Sequence, residues 1–184
     1  MGKGHAQNGV TLLELTITVS IILISLAAGI PAMSGFQEKI KARQSIDAIR
    51  QIVSFTRLQA LNSQSQTTLC PLDNNNQCSS NWNAALTVFQ DSNNNRRLDT
   101  GEISLKVLRA STANETRIFN NPVISFNTRG FAGASTGSLT YCLNGHRQTG
   151  AAFIISRNGR IRLGTDKNGD GLPETPNGDN VACN

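Results

Sequence analysis

The sequence predicts an α+β protein in which one long, bent amino-terminal helix packs on an antiparallel β-sheet head. Dense apolar character is confined to residues 10–30 of the 184 residues, and a helical pattern continues beyond that run. The remainder is polar and breaks into short apolar runs separated by Gly and Asn clusters, a pattern typical of strands and turns. One helix followed by a series of strands places the chain in the α+β class.

The apolar run of residues 10–30 has the length of a membrane-spanning helix. We therefore expect a single membrane segment that carries one polar head. The formal net charge of +5 is a moderate basic excess, which permits an anionic partner without requiring one.

The short polar segment of residues 1–9 carries Lys3 and ends at Gly9, immediately before the apolar run. An ordinary secretory signal has its small-residue cleavage site after the apolar run, and no such site follows here. Cleavage after Gly9 would remove residues 1–9 as a leader and leave the apolar helix on the mature chain, beginning at Val10.

Glu14 is a carboxylate inside this apolar run, and such a group costs about 2.5–3.5 kcal/mol on membrane-insertion scales. It therefore needs a partner or a function, and the α-amino group of Val10 in a neighbouring subunit would supply a cation. The alternative is a helix-start Glu in the headgroup region, stabilised by the helix dipole. A plain single-span anchor is the main alternative for the whole segment, but it leaves the Gly9 junction unexplained.

Pro31 ends the apolar run, and a proline inside a helix removes one backbone hydrogen bond and bends the helix. We predict one bent helix over residues 10–62, about 80 Å long. Its amphipathic half, residues 31–62, has an apolar stripe made of Ala42, Ile46, Ile49, Val53 and Ala60. The opposite side carries Lys39, Arg43, Arg50 and Arg57. Off the stripe lie Phe36, Ile40, Leu58 and Leu61, which either contact a neighbouring subunit or cover the edge of the same core.

Residues 63–184 form the head. Its predicted strands are residues 67–70, 83–90, 103–109, 123–127, 138–143, 151–156 and 160–163.

The chain has four cysteines, Cys70, Cys78, Cys142 and Cys183. An even number on an exported domain favours two disulfides in an oxidising compartment, with three possible pairings. We favour Cys70–Cys78, which closes a short polar loop, and Cys142–Cys183, which would pin the last residues, since these otherwise have little hydrophobic content to hold them down. No spacing indicates a zinc site.

Two Asp/Asn-rich loops resemble calcium loops in composition. The first places oxygen side chains at calcium-type spacing, on Asp91, Asn93, Asn95, Asp99 and Glu102. However, Arg96 stands where an EF-hand requires Gly, and a strand rather than a helix precedes Asp91, so an Asn-rich hairpin turn is the alternative. The second loop, residues 166–177, lacks a Glu at its last position. We predict no resident metal or cofactor.

Arginines cluster in residues 157–167. Arg160 and Arg162 are two apart on a predicted strand, so both project from one face while Ile161 points to the core. Arg157, the turn residue Gly159, Lys167 and, on a neighbouring loop, Arg147 complete the set. Clustered guanidinium groups suit a phosphate backbone. The alternative is a solvated edge strand whose charges prevent aggregation.

The junction between leader and apolar run resembles the class III signal of type IV pilins and type II secretion pseudopilins, through Gly9-Val10-Thr11-Leu12-Leu13-Glu14-Leu15. The resemblance implies a type IV pilin-like fold and a prepilin peptidase that cuts after Gly9 and methylates Val10, although Phe or Met is usual there. It also implies that Glu14 acts in assembly and that Pro31 kinks the helix where it leaves the membrane.

The segment of residues 151–163 resembles the carboxy-terminal G-R-x-R motif of the FimT/GspH family, through Gly159-Arg160-Ile161-Arg162. The hairpin of residues 89–102 resembles that family's Asp/Asn-rich turn. FimT-type minor pilins help competent bacteria capture DNA, whereas GspH-type members sit in the tip of the type II secretion pseudopilus.

These resemblances imply a minor pilin that packs with other pilins and binds double-stranded DNA through its phosphates. The alternative is a pseudopilin with a structural role. The expected location is the inner membrane with the head in the periplasm, then the cell surface after assembly. We expect no enzyme, because no nucleophile–base or paired-carboxylate arrangement stands out and His146, in a Gly-flanked segment, fits a surface loop.

Overall fold

The computed structural model describes residues 10–143, 150–170 and 172–181, and only the backbone of residues 26–35. The chain divides into two compact units, Met1–Ile40 and Lys41–Asn184. Helix α1 comprises Leu12–Ser63, which confirms the predicted helix to within two residues at each end. The predicted leader and its Gly9 cleavage site lie outside the described residues, and the bend at Pro31 stays a prediction.

In the first unit, α1 begins with a side-chain cap. Thr11 precedes the helix, and its Oγ1 accepts a hydrogen bond from the Glu14 backbone N at 3.3 Å. This Thr-x-x-Glu arrangement is typical of helix starts, and it places Glu14 in the first turn. Within the described part of the chain, no helix is both long enough and apolar enough to cross a membrane.

The second unit contains two antiparallel four-stranded sheets. The first has the order β3-β2-β1-β5, from Ser104–Leu108, Leu86–Gln90, Thr67–Pro71 and Ile124–Phe126. The second has the order β4-β6-β7-β8, from Glu115–Ile118, Gly137–Leu143, Ala151–Ile155 and Ile161–Leu163. Every predicted strand is present, shortened or extended at its ends. The division into two sheets and the existence of β4 did not emerge from the sequence.

The predicted helix stripe forms the centre of the core. Ala42, Ile49, Val53 and Ala60 are buried, and Ile46 packs against them. They join the inward faces of both sheets, among them Leu69, Val88, Phe126, Leu139 and Phe153. Because the core residues all follow Lys41, the second unit has its own hydrophobic core. Leu58 and Leu61 are exposed, and so are Phe36 and Ile40 in the first unit.

One predicted disulfide is confirmed. Cys70 and Cys78 are bonded, with their Cα atoms 5.5 Å apart. Cys142 is also disulfide-bonded, and its predicted partner Cys183 lies outside the described residues. The tail after Gly164 folds back, because Val181 is buried against Cys142 and Ala152.

Candidate nucleic-acid interface

The hairpin between β7 and β8 is fixed by its own hydrogen bonds. The Ser156 backbone N donates to the Arg160 carbonyl at 3.0 Å, and the Gly159 N donates to the Ser156 carbonyl at 2.8 Å. The Asn158 side-chain oxygen accepts from the Arg160 N at 3.3 Å. These bonds place Arg157 on the turn and Arg160 at its exit.

Only glycine fits at position 159. Its φ is +77°, and a Cβ built there would lie 1.9 Å from the Gly130 carbonyl oxygen. The hairpin therefore contacts the turn of residues 127–130 directly. The backbone N atoms of Ala132 and Gly133 donate to the Arg157 carbonyl at 3.0 and 3.3 Å, which joins the two loops.

Helix α1 closes this junction through Arg57. Its Nε donates to the Gly130 carbonyl at 3.0 Å, and the side chain is half-buried. The predicted placement of Arg57 on the outward helix face with Arg43 and Arg50 is therefore wrong. The Arg57 side chain instead bonds the carbonyl of Gly130, in a distant loop that helical periodicity does not reveal. Arg43 and Arg50 are exposed as predicted.

A cavity of about 360 Å³ opens beside the junction. Its lining consists of Ser54, Arg57, Leu58, Leu61, Arg160 and Ile161. The groove thus combines an apolar floor with two guanidinium groups.

Arg160 lies at the exit of the turn, directly before β8, and Arg162 lies on β8, and their sharing of one face stays a prediction. Both are exposed, and Ile161 between them packs against the core. Strand β8 is an edge strand whose only partner in the described sheet is β7. Arg157 and Lys167 are exposed as well, whereas Arg147 lies outside the described residues.

Sequence reasoning missed Arg129, which is exposed on the turn that supports Gly159. We call Arg129, Arg157, Arg160 and Arg162 the basic surface. Among the residues that the structure describes, the ion pairs are Arg97–Asp99 and Arg109–Glu115, and neither involves this surface. Its charges are therefore available to an outside anion.

The calcium-type loop of residues 91–102 holds itself together. Buried Asp91 accepts hydrogen bonds from the Thr68 hydroxyl at 2.9 Å and from the Asn95 backbone N at 3.0 Å. Asp99 accepts from the side-chain amides of Asn93 and Asn95, which lower its pKa, and Glu102 accepts from the Ser92 backbone N. The carboxylates thus serve as hydrogen-bond acceptors that stabilise a hairpin turn. No group of three or more His, Cys, Asp or Glu side chains suited to a metal occurs within the described ranges.

The second Asp/Asn-rich loop is organised by a residue that the sequence did not single out. Buried Glu174 accepts from the backbone N of Lys167 at 2.8 Å and of Asn168 at 3.1 Å. This fixes the backbone that follows β8, and with it the start of the Lys167 side chain.

A second polar cluster lies inside the head, around Glu115 on β4. Its carboxylate accepts from the Tyr141 hydroxyl at 3.0 Å, from Arg109 at 3.1 Å, from Thr112 and from Ser45 on α1. Burial acts to raise the pKa of Glu115, but the hydrogen bonds from Ser45, Thr112 and Tyr141 outweigh it and lower the pKa to about 2. Burial also raises the pKa of Tyr141 to about 12, so its hydroxyl stays a donor.

The family follows from comparison with known proteins. A family model, "Type II transport protein GspH", matches residues 45–159, which include α1 from residue 45 onward and strands β1 to β7. The match ends at Gly159, before β8. The chain belongs to the GspH family. No curated protein matches it significantly.

Two crystal structures of the type IV minor pilin FimU of Pseudomonas aeruginosa share the fold of this GspH-family chain. One is 18% identical with a TM-score of 0.53, and it covers 78% of this chain and 98% of FimU. The other is 16% identical with a TM-score of 0.51, covering 74% and 98%. The α+β, type IV pilin-like fold predicted from the sequence is thereby confirmed.

Proposed function

We propose that this GspH-family protein is a minor type IV pilin that binds DNA without sequence preference, for uptake during natural transformation. The observation that carries the proposal is the basic surface. Its arginines are exposed, form no ion pair among the described residues and stand on a junction that requires glycine at position 159. A surface whose only role was to repel other strands would not need such a fixed arrangement.

Binding would run through the phosphates of double-stranded DNA. A guanidinium holds phosphate oxygens bidentately, and neutralising phosphates releases counterions, so affinity falls as salt rises. Phosphate contacts position a protein without reading the sequence. A single head with few basic residues binds weakly, and several copies or several minor pilins in one fibre raise the avidity. Lys167 and Arg147 extend the proposed contact.

The amino-terminal unit would anchor and assemble the subunit. A prepilin peptidase would cut between Gly9 and Val10 and methylate Val10, and Glu14 would pair with the α-amino group of a neighbouring subunit. The proposed anchor in the inner membrane is residues 10–30, bent at Pro31.

The side chains of the first unit support this role. Apolar side chains are exposed along residues 12–24, a surface that lipid or other pilins would cover. The hydroxyls of Thr16, Thr18, Ser20 and Ser25 donate to backbone carbonyls of their own helix. Because these hydroxyls form hydrogen bonds within the helix, they need no water, and the helix can lie in an apolar environment.

An NMR titration of the head with duplex DNA tests the DNA-binding role. The head of residues 36–184 contains the complete compact unit with its core. We expect amide shifts on both loops of the junction at low salt, and their loss when Arg160 and Arg162 are both changed to Gln. An absence of shifts at low salt would refute DNA binding.

A pseudopilin of a type II secretion tip complex is the second candidate, favoured by the description of the matching family model. In that case the head would contact partner pseudopilins or cargo. Deletion of the gene separates the two candidates, because loss of transformation supports the first and loss of secretion supports the second.

A further inference from the structure

Phe131 is an exposed aromatic residue beside the basic surface. Its side chain is 45% exposed, although the head buries Phe89, Phe119, Phe126 and Phe153. An exposed phenylalanine leaves apolar area in water that a ligand could cover. Among the described phenylalanines after residue 63, Phe131 is the exposed one, and its ring area is available to an outside partner.

Phe131 is held in place by its neighbours. Its backbone N donates to the Asn127 side chain at 3.0 Å, and its carbonyl accepts from the Asn127 N at 3.0 Å. The following residue, Ala132, is buried and donates to the Arg157 carbonyl. Phe131 thus stands on a fixed loop, two residues after Arg129 and next to Ala132, whose backbone N is bonded to the Arg157 carbonyl.

An exposed aromatic ring on a loop that carries Arg129 and is bonded to the backbone of Arg157 is a suitable site for an unpaired nucleotide. Arginines hold the phosphates, while the ring stacks on a base that no neighbouring base covers. In an intact duplex the bases already stack on one another, so the ring gains nothing beyond backbone contact. The chemistry therefore distinguishes single-stranded DNA from duplex DNA.

We infer that Phe131 stacks on an unpaired base, so that the basic surface binds single-stranded DNA or a frayed end more tightly than intact duplex. This inference rests on the proposed DNA binding and goes beyond it, because phosphate contacts alone give no such preference. An incoming end would thus be held more firmly than the middle of a duplex.

Fluorescence anisotropy with the head tests the inference, using a labelled oligothymidylate and a blunt linear duplex of equal phosphate number whose ends are closed by G·C pairs. Phe131→Ala is expected to weaken oligothymidylate binding by about tenfold and to change duplex binding by less than about twofold. Phe131→Trp keeps a stacking surface and is expected to retain the affinity. Ile118→Ala is the matched control, because Ile118 is also half-exposed and lies on β4, the edge strand opposite β8 in the second sheet.

The outcomes separate the two levels of the proposal. Equal affinity of the unsubstituted head for both DNAs, or equal effects of Phe131→Ala on both, would overturn stacking while DNA binding stands. No effect of Phe131→Ala on either DNA would also overturn it and would leave contact with a neighbouring subunit as the role of the ring. If neither DNA binds the unsubstituted head at low salt, the proposed function itself fails.

Discussion

The head uses arginine in two opposite ways. Arg117 on β4 is buried, and its guanidinium donates to the Ser111 hydroxyl at 2.7 Å and to the Arg109 carbonyl at 3.1 Å. Arg160 and Arg162 on the other edge of the same sheet are exposed and form no ion pair within the described part of the chain. The arginine at the β4 edge is hydrogen-bonded inside the molecule, whereas the arginines at the β8 edge are exposed to solvent.

This contrast separates polar groups that stabilise the fold from polar groups that are free to bind. Around Glu115 and Arg117, donors and acceptors satisfy each other, and burial lowers the pKa of Arg117 without removing its charge. Around Gly159, the backbone is tightly fixed, while the guanidinium groups of the basic surface form no ion pair within the described part of the chain. A fixed backbone that carries charged groups without ion-pair partners suits a binding surface, because little conformational entropy of the backbone is lost on binding.

The largest effect on stability is expected from changing Arg to Gln on β4, whereas the same change on β8 should have almost none. Arg117→Gln leaves buried carbonyls without donors and should lower the free energy of unfolding by about 3–4 kcal/mol. Arg162→Gln removes an exposed group and should change it by less than about 0.5 kcal/mol. Chemical denaturation of the head measures both. Similar losses at the two positions would remove the distinction between the edges.

A somewhat smaller loss is expected at the junction under the basic surface. Gly159→Ala forces a Cβ against the Gly130 carbonyl and should cost about 2–3 kcal/mol of unfolding free energy. Gly133→Ala is the control, because Gly133 also has a positive φ but nothing lies within 4 Å of the new Cβ. It should cost only about 1 kcal/mol. If Gly159→Ala lowers the free energy of unfolding no more than Gly133→Ala does, the close contact between Gly159 and the Gly130 carbonyl is contradicted.

The Glu115 cluster should give the stability of the head a pH dependence. The pKa of Glu115 lies at about 2 in the folded state, below its ordinary value of 4.5, so its contribution is complete above about pH 4.5 and lost as pH falls through about 2. Glu115→Gln should therefore cost about 2 kcal/mol at neutral pH, and this cost should shrink on acidification toward pH 2. Thermal melts across this range measure the difference.

Glu102→Gln serves as the control for this pH dependence, because Glu102 holds a surface loop. Its effect on the melting temperature should be small at every pH. A cost of Glu115→Gln that stayed constant down to about pH 2 would contradict the assignment of the stabilisation to the ionised carboxylate.

The smallest effect is expected from Arg129, the arginine that sequence reasoning missed. Arg129→Gln should weaken duplex binding only a few-fold, reducing the slope of log affinity against log salt by about 1. Arg43→Gln, at an exposed position on α1, should leave the affinity unchanged. If both variants behave alike, Arg129 does not belong to the DNA contact.

Local patterns were sufficient to predict much of this molecule. Residues close in sequence account for the apolar stripe of α1, the predicted strands and the Cys70–Cys78 bond. Strand β4 was missed because Glu115–Ile118 has one apolar residue, and that residue faces outward. Its inward residues are a glutamate and an arginine, which no hydrophobic pattern marks.

Non-local contacts account for the remaining misses. Arg57 was assigned to the solvent side because helical periodicity says nothing about the Gly130 carbonyl, some seventy residues away in sequence. Arg129 and Phe131 became candidates only when their turn was found against the Gly159 hairpin. Spacing along the chain showed which arginines share a strand, but not which loop lies beside them.

The salt dependence of DNA binding by the head is the most direct test of the proposed role of the basic surface. It compares Arg160→Gln/Arg162→Gln with Arg96→Gln/Arg97→Gln, which removes the same charge from an exposed loop elsewhere. We predict that the first pair lowers the slope of log affinity against log salt by about 2, while the second leaves it unchanged. Equal changes for the two pairs would mean that DNA responds only to the overall charge of the head, and would contradict a defined binding surface at Gly159.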